Sequence, residues 1–107
     1  MTILDIEACK NVLDEVLRER QLEHLYYGDR HLPDGTSEFY QSEFHKADEN
    51  VVQQHEQGTL TWRDLMMRAA TSATCETATD DLRHELVELA SLVIEWIEAI
   101  DRREGVA

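Results

Sequence analysis

Apolar residues recur at steps of three and four along most of the chain, the spacing that lines one face of a helix. In the first segment Ile6, Cys9, Leu13, Val16 and Leu17 follow this step. A helix over residues 2–27 is predicted, with Thr2 and Asp5 marking its start. The second segment carries Tyr40, Phe44, Ala47 and Val51 on one stripe and stops at Gly58, which predicts a helix over 37–57. The third opens with Thr61 and places Asp64 three positions on, a cap residue followed by an acid. Trp62, Leu65, Met66, Ala69, Ala70 and Ala73 follow, and the helix is predicted over 61–77. The fourth, over 80–103, has two apolar rows. Leu82, Leu86, Leu89, Val93, Trp96 and Ile100 form one, and Val87, Ala90, Ile94 and Ile97 form the other.

No alternation of period two lasts more than a few residues, so strands are not expected. Gly28, Pro33 and Gly35 gather in one irregular loop between the first two helices. The fold class predicted is all-α: a single domain over residues 1–107, arranged as a four-helix bundle of antiparallel neighbours with short loops. The fourth helix is apolar over too much of its circumference for three short partners. It points to a homo-oligomer built through Val93, Trp96 and Ile97.

Charge changes the picture of possible partners. The 107 residues hold 23 Asp and Glu against 10 Lys and Arg, a formal net charge of −13. Direct binding to nucleic acid or to an anionic membrane surface requires a basic face and is not expected. No apolar run approaches the ~20 residues of a membrane span. The opening MTILDIEACK does not read as a signal peptide, and a cytoplasmic protein is expected. Cys9 and Cys75 stand far apart without a CxxC pattern, which fits a reducing compartment and small half-buried side chains.

Nucleophilic and phosphate-cradling motifs are absent, and the five histidines show no metal-binding spacing. The remaining candidates are carboxylates. Glu85 and Glu88 lie three apart on one helical face, and Glu95 and Glu98 repeat the step. Mg²⁺ requires more oxygens than one such pair supplies. The facing stretch offers Arg68, Ala69, Ala70, Thr71 and Ser72, with no acid until Glu76. By residue chemistry alone Glu85 and Glu88 read as a solvated acidic face.

The runs ERQ (19–21), YG (27–28), PDGT (33–36), LTWRD (60–64) and LRHELVELASLVIEWIEAIDRR (82–103) resemble the small MazG-like proteins of actinobacteria and their phages. These are similar to the all-α nucleoside triphosphate pyrophosphohydrolases. The resemblance implies an oligomeric helical bundle in which carboxylates hold Mg²⁺ for cleavage between the α- and β-phosphates. It also implies that the metal motif is degenerate here. The family's two adjacent glutamates and a third fall at Arg68, Ala69 and Ser72, while its last pair is kept as Glu85 and Glu88. The family's Asp-Glu-Lys-Trp-Gly run falls at His24, Leu25, Tyr26, Tyr27 and Gly28.

The leading expectation is therefore a catalytically inactive nucleotide- or protein-binding module without a cofactor. Arg68, Ser72 and His84 are its candidate substrate contacts. One alternative is an active Mg²⁺-dependent pyrophosphohydrolase using Glu76, Glu85 and Glu88. Another is an acidic helical decoy that occupies a basic surface of a protein partner.

Overall fold

A computed structural model describes residues 3–105. Among them it is all-α: α1 (Ile6–Tyr27), a 3-10 turn (Glu38–Tyr40), α2 (Gln41–Gln57), α3 (Trp62–Thr74) and α4 (Thr79–Arg103). No strand occurs among the described residues. None of these helices is long and apolar enough to cross a membrane.

The helix ends follow from local chemistry. The predicted cap Thr2 lies outside the described residues, and the first helix begins later than its periodicity suggests. Asp5 is extended (φ −77°, ψ 93°), and its carboxylate accepts the Ala8 N–H at 3.1 Å, so the helix starts at Ile6. Gly58 ends α2 in the left-handed region (φ 72°, ψ 23°), its N–H donating to the carbonyls of Gln54 and His55. The stretch 37–40, predicted as the first turn of the second helix, is a 3-10 turn capped by the Ser37 hydroxyl. The third helix stops at Thr74 rather than 77, and the Cys75 N–H turns back to Ala73. Thr79 opens α4 one residue before the predicted start.

The chain forms two compact units. One is Asp34–Val93 and the other is Met1–Pro33 with Ile94–Ala107; α4 contributes residues to both. In Asp34–Val93, α2 and α3 form a helical hairpin across the short loop 58–61. Its buried apolar side chains are Val51, Ala73 and Leu82. A backbone bond from the Ser37 N–H to the Thr74 carbonyl, 3.0 Å, ties the chain entering the 3-10 turn to the end of α3.

A polar clasp holds the hairpin together. Asp64 is only 9% exposed. One carboxylate oxygen accepts the Asn50 side-chain amide at 2.8 Å; the other accepts the Thr61 N–H at 3.0 Å and the Thr61 hydroxyl at 2.8 Å. The Asp64 N–H donates back to the Thr61 oxygen at 3.2 Å, completing a capping box. Hydrogen bonds from the Thr61 hydroxyl and the Asn50 amide favour the ionised form and hold this carboxyl below the usual aspartate range. From Asn50 the chain of contacts continues through Gln54 to the Thr59 hydroxyl.

In the other unit Val12 is the buried apolar side chain, 2% exposed. The predicted core stripe of the first helix is displaced: Ile6, Leu13, Val16 and Leu17 are exposed, and Ala8, Cys9 and Val12 mark the shielded side. Consecutive helical residues differ by about 100° around the axis, so one step along the sequence moves a position off the shielded face.

Candidate functional site

The positions singled out by residue chemistry converge in part, all within Asp34–Val93. Ser72 on α3 faces Glu85 on α4, and its hydroxyl donates to a Glu85 carboxylate oxygen at 2.8 Å. The Cys75 thiol donates to the Ser72 carbonyl at 3.3 Å. Burial pushes this thiol above its ordinary pKa, and the negative charges of Glu76 and Glu85 push the same way. Ser72, Cys75, Glu76 and Glu85 therefore form one neighbourhood where α3 gives way to α4. α3 ends at Thr74, and this early stop brings Cys75 and Glu76 into the turn.

The other candidates turn elsewhere. The Arg68 guanidinium lies 3.7 Å from an Asp48 carboxylate oxygen on α2, both side chains part-exposed. Arg68 thus spans the hairpin and does not fill a cation's place between Glu85 and Glu88. His84 Nε2 lies 2.8 Å from a Glu88 carboxylate oxygen, a pairing one turn apart along α4. Glu88 and His84 are exposed, whereas Glu85, read with Glu88 as a solvated face, is half-buried against Ser72. Ala69 contributes no polar group.

Mg²⁺ takes near-octahedral oxygen ligands at about 2.0–2.1 Å and strongly prefers carboxylates. Here Glu85 meets a neutral hydroxyl where a second carboxylate would be needed, and Glu88 is engaged by an imidazole. Among the described residues no group of three His, Cys, Asp or Glu side chains is placed to hold a metal ion. This donor set does not fit Mg²⁺. A carboxylate, a hydroxyl and a protonated thiol can instead accept and donate hydrogen bonds to a polar ligand.

The expected interface residues of α4 divide between exposure classes. Val93 is 36% exposed, while Trp96 and Ile97 are half-buried. Leu86 and Val87 are more exposed than Val93. On this helix the shielded positions include Leu82, Glu85, Leu89 and Leu92, so the inner face takes in Glu85 and leaves part of both apolar rows outside.

Two features escaped sequence reasoning. Asp48 as the partner of Arg68 lies twenty positions away on another helix, and no local spacing joins them. Glu98 reads as a repeat of the Glu95 spacing yet is 7% exposed. Comparison of the chain with protein-family models, with curated proteins and with solved structures finds no match.

Proposed function

We propose that this chain is a MazG-like scaffold in which the metal-ligand positions have become a metal-free polar cluster. It acts as a binding module for a nucleotide or a protein and does not cleave a nucleoside triphosphate. The Ser72–Glu85 hydrogen bond carries this reading. It puts residue 72 opposite residue 85, the juxtaposition that the family resemblance implies for metal ligands, with a neutral hydroxyl in place of an anion.

The test is pyrophosphate release from canonical ribo- and deoxynucleoside triphosphates with Mg²⁺. The expected result is no release by the natural chain. Arg68→Glu, Ala69→Glu and Ser72→Glu together restore the missing acids, and release by that variant alone supports the reading. Release by the parent, abolished by Glu85→Gln, overturns it in favour of a rearranged site using Glu76, Glu85 and Glu88. A nucleotide held without metal would be held by charge-assisted hydrogen bonds and calls for a Kd of tens of micromolar or weaker, about −6 kcal/mol.

The module works as a homo-oligomer in this reading. Exposed apolar side chains support it: Leu13, Val16 and Leu17 on α1, and Leu86, Val87 and Val93 on α4. Isolated exposed leucines are ordinary, but rows that follow a helical face are the usual mark of a protein contact.

A further inference from the structure

Along α1 the apolar periodicity marks one face for burial that the single chain leaves uncovered. At about 100° per residue, Ile6, Leu13 and Leu17 fall within roughly 40° of one another around the helix. They are 60%, 46% and 57% exposed, while Val12, on the covered side, is 2% exposed. Leu17 also edges a shallow groove of about 580 Å³, which it shares with Arg20, Gln21, His24 and Leu25 of the same helix. A contiguous apolar row beside a groove is the kind of surface that another protein element covers.

Area and charge together name the occupant. The chain exposes 8636 Å². A folded monomer of 12.4 kDa exposes about 6,100 Å². The surplus of roughly 2,500 Å² is about three times what one partner covers in a standard interface. A second copy of the chain can take up this area, with room left for the exposed rows of α4. Charge then sets the direction. In residues 6–15 Glu7, Asp14 and Glu15 outnumber Lys10, whereas in residues 16–27 Arg18 and Arg20 balance Glu19 and Glu23. Two copies of α1 laid parallel would bring the acidic halves together. Laid antiparallel, each acidic half meets a half that carries two arginines, and the helix dipoles attract.

We infer that α1 of two copies packs antiparallel through this stripe, with Leu13 against the partner's Leu17. The contact is isologous, made twice about one two-fold axis. The same register sets the partner's Ile6 opposite His24, so that an isoleucine side chain fills the groove that His24 and Leu17 line. The inference rests on the homo-oligomeric reading above and adds to it the face and the direction of the contact.

Sedimentation at micromolar concentration tests the face. Leu17→Asp puts two unpaired charges into the seam, one from each copy, and should weaken association roughly a hundredfold or more, lowering the sedimenting mass. Leu22→Asp places the same charge on α1 about 160° away from the stripe. Leu22 is already 53% exposed, and this variant should leave the mass unchanged. Cross-linking tests the direction. In a Cys9→Ala, Cys75→Ala background, chains carrying Leu13→Cys and chains carrying Leu17→Cys are mixed and mildly oxidised. Disulfides between positions 13 and 17 should form in preference to 13–13 or 17–17. This measurement introduces no charge and decides the matter if Leu17→Asp does not fold. An oligomeric parent indifferent to Leu17→Asp, an equal loss with Leu22→Asp, or a preference for 13–13 and 17–17 disulfides overturns this seam alone. A parent sedimenting at 12.4 kDa overturns it together with the homo-oligomeric reading.

Discussion

Asp64 shows how one buried acid fixes two helices. Its carboxyl is stabilised as the anion in the folded chain, with its pKa below the ordinary value of about 3.9. Its contribution is therefore complete above that ordinary value and is lost as pH falls through the lower folded value. Denaturation of the parent and of Asp64→Asn should differ most at neutral pH, and the gap should close in strong acid. A pH-independent gap would contradict this. Thr61→Ala removes the helix cap and one partner of the same carboxylate, and should cost about 1 kcal/mol or more. Cys75 works in the opposite sense. Its raised pKa keeps the thiol neutral, so alkylation by iodoacetamide near pH 7.5 should run slower than for an exposed cysteine peptide. Because the folded pKa lies above the unfolded one, this group adds stability below the unfolded value and loses it as pH rises through the folded value.

At the scale of the helix, ends and faces were each legible in part: Val51, Ala73 and Leu82 are buried on their predicted stripes, while the stripe of α1 is displaced. Gly58 and the Thr61–Asp64 pair act through atoms within a few residues, and the structure uses both as the sequence implies. Gly58→Ala tests the first. A methyl there meets no atom within 4 Å, so the cost is that of left-handed backbone alone, about 1–2 kcal/mol, read as a lower melting temperature. Which stripe of a helix is covered depends on neighbours brought from elsewhere in the chain. The periodicity of α1 passes through Leu13 and Leu17, while burial falls on Val12. On α4 the half-buried face takes in Glu85, and Leu86 beside it is exposed. The candidate site shows the same division. Ser72 and Glu85 were both singled out in the sequence, and they meet. The pairings of Arg68 with Asp48 and of Asn50 with Asp64 were not legible, because each pair joins residues on different helices.

At the scale of the whole molecule, 42% of the residues are apolar, yet only Val12, Val51, Ala73 and Leu82 form the buried apolar set among the described residues. Association supplies the missing cover in the proposed reading. Sedimentation at micromolar concentration should show a species heavier than the 12.4 kDa chain. Val93 is part-exposed in the single chain, so Val93→Asp should dissociate the oligomer while the helical circular dichroism persists. A parent sedimenting only at 12.4 kDa would remove the idea. The clasp between Asn50 and Asp64 has a further consequence, in time rather than in stability. It joins residues 14 positions apart, and the loop it closes contains one tight helix end and one capping box. Closing so short a loop sacrifices little chain entropy. The α2–α3 hairpin is thus the segment best suited to assemble first, before contacts between the start of the chain and the end of α4, which must close nearly its full length.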